Sequence, residues 1–258
     1  MPSAGRILLD SCPEPLVSLL AEDAIFASGE EFDGEADRRR SHSDPQKKRA
    51  RALHGTLKPR HDQGVLNRSS LAAELLELTP EDYVSHRLID RVPAVFDDRS
   101  AYIAWKKELA AGLGVDPYGV ILVGSACTGY SLNPNKNFRD FHERSDLDVA
   151  VVSDQHFDEA WRFLRDLGVQ IHKLPPATRR AVNSHRSGHV FDGVIATDTF
   201  VEHLPFGKLW VPVLEGMTLA APANGRKVKV RLYRDLFALR SYQRRGVENA
   251  RTRIAEGA

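Results

Sequence analysis

One stretch constrains this chain more than any other. It spans residues 119–153 and reads GVILVGSACTGYSLNPNKNFRDFHERSDLDVAVVS. An apolar run, 120–123, breaks at Gly124-Ser125 and passes through a polar loop. It resumes as Ser145-Asp146-Leu147-Asp148 running into Val149-Ala150-Val151-Val152. Two short apolar segments bounded by glycine and polar residues read as buried strands. Side chains alternate faces along a strand, so Asp146 and Asp148 point the same way, about 7 Å apart, at the strand's exposed head. Two carboxylates so placed can share one or two divalent cations. The competing reading is that they cap a turn and solvate a strand end.

The rest of the chain sets the frame. Its 258 residues suffice for one large domain or two small ones. A formal net charge of +1 implies no global pull toward nucleic acid or membrane. Cys12 and Cys127 form neither a metal-spaced set nor a disulfide framework, as expected for a reducing, cytoplasmic compartment. No secretory signal pattern opens the sequence, and no apolar run reaches the roughly 20 residues needed to span a bilayer.

Residues 1–68 differ in character from the remainder. A short apolar piece, 15–26, precedes an acidic stretch with Glu30, Glu31, Asp33, Glu35 and Asp37. Arg38-Arg39-Arg40 and Lys47-Lys48-Arg49 come next. Such charge blocks stay solvated, which predicts a disordered N-terminal extension. It serves as a nucleic-acid-binding arm, as an import signal, or as a tail without a partner.

Regular periodicity begins at Ser69, and residues 69–258 read as one domain. Helices are expected over 69–78, from Thr79-Pro80 onward, over 101–113 and over 155–167 with Asp154 as cap. Residues 169–171 and 190–199 read as strand or hairpin, 173–189 as a basic loop, and 207–219 as irregular. Asn224-Gly225 signals a turn into an alternating strand, 227–233, and a basic helix closes the chain over 235–254. The fold class expected is α/β: a small twisted mixed sheet with helices on one face and a helical lead-in.

Gly124-Ser125, Thr128-Gly129 and Ser145-Asp146-Leu147-Asp148 together resemble the signature of the nucleotidyltransferase superfamily. That superfamily includes DNA polymerase beta, CCA-adding and aminoglycoside nucleotidyltransferases, poly(A) polymerases and the cyclic-dinucleotide and oligoadenylate synthases. The resemblance covers residues 95–155 by motif. It implies Asp146 and Asp148 as catalytic, metal-holding carboxylates for Mg2+ or Mn2+. Gly124 and Ser125 would lie against a nucleoside triphosphate, with Lys136 and Arg139 of the inserted loop 133–143 near its phosphates. The implied reaction moves a nucleoside monophosphate from the triphosphate to a hydroxyl of RNA, protein, a small molecule or a second nucleotide. Compact members of the superfamily also serve in bacterial defence and toxin–antitoxin pairs. The family's third carboxylate comes from a later strand. Residues 227–233 resemble that strand but carry Lys229 at the acid position, leaving Asp192 and Asp198 as alternatives. Lys229 also keeps open a second class of function, a weak or inactive nucleotidyltransferase fold that binds nucleotide, RNA or protein.

Other groupings are read more plainly. His185 and His189 have the spacing of a helical zinc pair but no third ligand. Cys127 is expected to pack, and Trp105 and Trp161 to lie in the core. The arginines of the last helix either bind phosphates or face water.

Overall fold

The computed structural model describes residues 68–198 and 200–256. The charged extension expected over residues 1–68 lies outside the described residues, apart from Arg68, which opens the first helix. The architecture is mixed α/β. In chain order the helices are α1 (Arg68–Glu77), α2 (Pro80–Tyr83), α3 (Arg99–Leu113), α4 (Gly124–Thr128), α5 (Asp154–Asp166), α6 (Pro176–Ser184), α7 (Gly207–Leu219) and α8 (Leu236–Ala255). The strands are β1 (Val120–Val123), β2 (Leu147–Val152), β3 (Val194–Ala196) and β4 (Val228–Tyr233), in the sheet order β1-β2-β4-β3. β2 and β4 are parallel, and the outer strands run antiparallel to their neighbours.

Local signals place many of these ends. Thr79 accepts from the Asp82 amide at the start of α2, Asp98 from the Ala101 amide at α3, and Asp235 from the Ala238 amide at α8. Gly114 ends α3 in the left-handed region at φ +69°. Asn224 and Gly225, at φ +50° and +92°, turn the chain into β4. At α5 the cap is Ser153 rather than Asp154: the Ser153 hydroxyl accepts from the His156 amide, and Asp154 is the first helical residue.

The alternation of β2 divides the core. Leu147, Val149 and Val151 join Leu122, Val230 and Leu232 under α3, α5 and α7. Ala150 faces the opposite way, with Ile121, Val123, Val194 and Tyr233, against Ala238, Leu239 and Tyr242 of α8. Helices therefore cover both faces, where the sequence reading expected one. The reason is that these strands are apolar on both sides at their centres, so neither side can be left to water. A third cluster joins Leu71, Leu75, Tyr83 and Leu88 to Val247 of α8 and to Cys127 and Phe138.

Four segments depart from expectation. Residues 176–184, read as loop, form α6, because Thr178 and Val182 are buried while Arg180 faces out. Residues 207–219, read as irregular, form α7 with Pro212 inside it. A proline inside a helix costs about 3 kcal/mol. Trp210, fully buried with its indole N–H donating to the Leu113 carbonyl at 3.0 Å, and Met217 offset that cost. Residues 169–171, read as a strand, lie in a 3-10 segment, Gly168–Lys173. Only 194–196 of the expected 190–199 strand pairs in the sheet. Trp105 is core, as expected, but Trp161 is 38% exposed and lies under the Arg165 guanidinium. No helix among the described residues is long and apolar enough to cross a membrane.

Candidate functional site at the head of β2

The site forms where β1 ends and β2 begins. Antiparallel pairing sets Val123 opposite Asp148, so Gly124, the next residue, lies directly over the Asp148 side chain. Gly124 is at φ +65°, and a Cβ built there would stand 2.7 Å from Asp148 Oδ2. Only glycine supplies both that backbone conformation and the missing side chain. Ser125 comes next in α4, and Thr128 closes the turn by donating its hydroxyl to the Tyr130 carbonyl at 2.6 Å.

Asp148 belongs to the α8 face of β2. It lines a cleft with Gly124, Ser125, Asn133, Lys136, Tyr242 and Gln243, among others. Asp148 is partly buried and opens onto the cleft. Burial pushes its pKa up to about 7, against the pull of the Arg231 and Lys229 charges. Arg231, on β4, is buried beside it and donates to the Tyr242 hydroxyl.

Asp146 precedes the first residue of β2. Its Oδ2 lies 2.7 Å from the Lys229 ammonium, an ion pair with both side chains mostly covered. Lys229 pairs with Asp148 in the β2–β4 register. Burial draws the Lys229 pKa down, but the Asp146 hydrogen bond and the charges of Asp146, Asp198 and Asp148 outweigh it and hold the pKa above the usual lysine range. The position expected from resemblance to carry an acid thus carries a fixed cation.

The two alternative acids separate clearly. Asp192 lies beyond the far end of β3, 2.7 Å from Arg245, and takes no part in the site. Asp198 lies just past the near end of β3. Ala196 pairs with Arg231, so the chain two residues on comes level with Lys229, and the Asp198 charge acts on Asp148, Lys229 and Arg231.

The inserted loop is pinned in place. Phe138 is buried in the α1–α8 cluster, the Phe141 amide donates to the Gly129 carbonyl, and Tyr130 bridges Asp140. Lys136 reaches the cleft; Arg139 is exposed and is not among the residues lining it. Arg139, Arg144, Lys136 and Arg226 all lie close enough to His142 to help burial lower its pKa, which marks a cationic rim on this side. The sequence reading noted Arg231 only as the arginine in the likeness of residues 227–233, and did not single out Arg144, Arg226 or Gln243. The one local signal was the alternation of Lys229 and Arg231 along β4, which puts both on the face of Asp148.

The remaining candidates serve the fold. Both His185 nitrogens are engaged: Nδ1 donates to the Ala181 carbonyl and Nε2 accepts from the Ala196 amide. His185 is buried, its ring stacks on His189, and its pKa is lowered to about 4, chiefly by burial. Segment 185–189 is a helical turn, and neither His185 nitrogen is left to bind a metal. Cys127 is a packing residue, with burial pushing its thiol up to about 12. Of the last-helix arginines, Arg251 binds the Leu75 and Leu78 carbonyls, and Arg244 and Arg245 pair with acids.

Comparisons of the chain with protein-family models, with curated proteins and with solved structures return no match.

Proposed function

We propose that this cleft binds a nucleoside triphosphate and transfers its nucleoside monophosphate to a hydroxyl acceptor. The observation that carries the reading is the seat of Gly124 on Asp148, at the mouth of a cleft that also presents Ser125 and Lys136. A bare backbone, a hydroxyl and an ammonium next to acidic oxygens suit a phosphate chain and its counter-ions. In the reaction the acceptor oxygen bonds to the α phosphorus, the α–β phosphoanhydride bond breaks, pyrophosphate leaves, and the hydroxyl proton is released to water.

The donor set suits a hard divalent cation. Two carboxylates two residues apart share one edge of the sheet, and Asp146 and Asp148 are the residues that would hold Mg2+ or Mn2+. Such an ion supplies electrostatic stabilisation of charge building on the phosphate oxygens. The chain's own groups do the positioning. Gly124 gives the close approach, Ser125 donates a hydrogen bond, and Lys136 and the cationic rim draw the triphosphate in.

Incubation with each labelled triphosphate, Mg2+ or Mn2+, and a panel of hydroxyl acceptors including cellular RNA tests the reading. Pyrophosphate release is expected from the native chain and not from the Asp146→Ala/Asp148→Ala double variant. Release that survives the double change would place the chemistry elsewhere. Within the cleft, Lys136→Ala is expected to weaken triphosphate binding about tenfold, since a hydrogen bond to a charged group contributes ~1.5–3 kcal/mol. Arg139→Ala is expected to stay within about twofold, as for an exposed charge. Equilibrium dialysis with labelled nucleotide reads both.

A further inference from the structure

We infer that Lys229 is the site's built-in cation. Its ammonium counters the carboxylates and takes the phosphate chain of a nucleotide, so that nucleotide binding persists without a divalent metal. A metal ion then reaches Asp146 only by displacing Lys229. This rests on the nucleotide reading of the cleft.

The sheet itself puts the ammonium there. β4 is the strand between β2 and β3, and its register sets Lys229 beside Asp148. The Lys229 Nζ lies 2.7 Å from Asp146 Oδ2, within a charge-assisted hydrogen bond. Asp198, just past the end of β3, acts on Lys229 with its charge from the other side. One cation on β4 therefore stands between acids at the head of β2 and just past the end of β3, the strands on either side of it. Six backbone pairings between β2 and β4 hold the Lys229 Cα in place, so the ammonium can move only by swinging its own side chain.

Charge balance gives this arrangement its consequence. Three carboxylates at such a site would depend on metal ions to accept a polyphosphate, because like charges repel at short range. An ammonium among them supplies positive charge without a metal. Lysine binds phosphate as a mobile point charge with three donors, so it can leave Asp146 for a phosphate oxygen without rearranging the strand. Among the described residues no three His, Cys, Asp or Glu side chains converge closely enough to form a metal cage.

Two binding measurements on the full chain test the inference, neither of which depends on turnover. The first is Mn2+ titration followed by electron paramagnetic resonance, without nucleotide, on the native chain, Lys229→Met and Lys229→Arg. Lys229→Met keeps the aliphatic stem and removes the charge, and is expected to bind Mn2+ at least tenfold more tightly than the native chain. Lys229→Arg is expected to match the native chain. Adding Asp146→Ala to Lys229→Met is expected to abolish the gain. The second is equilibrium dialysis with ATP in excess EDTA. The native chain is expected to retain ATP, and Lys229→Met to lose at least tenfold in affinity. Equal or weaker Mn2+ binding by Lys229→Met, or complete loss of native ATP binding in EDTA, overturns the proposal. If ATP binds no variant under any condition, the nucleotide reading falls, and the Mn2+ comparison still decides whether Lys229 guards Asp146. Should Lys229→Met fail to fold, judged by circular dichroism, Lys229→Gln replaces it with the same expectations.

Discussion

Asp148→Asn is expected to eliminate nucleotidyl transfer and, in the same molecule, to remove a pH dependence of stability. The amide keeps the shape of the side chain but cannot carry the negative charge that a divalent ion or a cationic partner requires. The loss of turnover is expected to reach about a thousandfold, equivalent to some 4 kcal/mol of barrier. The stability effect comes from the direction of the pKa. Burial raises Asp148 to about 7 in the folded chain, well above its ordinary unfolded value. A raised carboxyl contributes stability that is fully present below the unfolded pKa and is lost as pH rises through the folded one. The native chain, free of ligand, should therefore lose stability between about pH 4 and 7 by on the order of a few kcal/mol from this group. Chemical denaturation of both proteins at pH 5 and pH 8 isolates the contribution. The native chain should show the larger fall, and Asp148→Asn should be the more stable of the two at pH 8. In kcat/KM, which reports the free enzyme, the rate of the native chain should climb through about pH 7 as Asp148 ionises. An identical pH slope in both proteins would mean that Asp148 titrates in its ordinary range and is not enclosed as described.

Gly124→Ala is expected to damage both fold and activity. Its φ of +65° lies in the left-handed region, where a side chain costs roughly 1–2 kcal/mol. Its new Cβ would meet Asp148 Oδ2 at 2.7 Å, closer than such atoms pack. Either β1 and β2 shift apart or the carboxylate turns away. Misplacing a reacting group by about 1 Å costs on the order of a hundredfold in rate. Gly129→Ala is the matched control. Gly129 also has a positive φ, of +86°, but the nearest atom to its added Cβ is Ala94 Cβ at 3.8 Å. It should lose comparable stability and keep most activity. A thermal melt and a turnover assay on the two variants separate backbone strain from the collision with Asp148. Equal activity in both would show that the close approach of Gly124 to Asp148 has no part in the chemistry.

Much of the scaffold was legible because its signals are local. Strands β1, β2 and β4 announce themselves as short apolar or alternating runs. Thr79, Asp98, Asp235, Gly114 and the Asn224-Gly225 turn mark ends through groups that act within a few residues. The misread segments are those in which a distant contact outweighs local preference. Pro212 argues against a helix until Trp210 is seen fully buried with its N–H bonded to Leu113. The basic residues of 176–184 argue for a loop until Val182 is seen in the core. The same division runs through the site. Gly124, Ser125, Lys136 and Asp148 meet in one cleft, and all four lie within the single stretch 119–153.

The sequence alone determined that Asp146 and Asp148 face one way at the head of an apolar strand, because side-chain alternation repeats every two residues wherever a strand forms. It determined that Gly124 comes just before them on an adjoining segment. It could not determine what those carboxylates meet. That Lys229 answers Asp146, that Arg231 and α8 enclose Asp148, and that Asp192 is excluded while Asp198 is drawn near all depend on the parallel register of β2 with β4 and on the short β3. Register is set by packing the whole sheet between two helical layers. The charge state of Asp148 is set by how much water that packing leaves around it. Both are properties of the assembled core, and no local pattern encodes them.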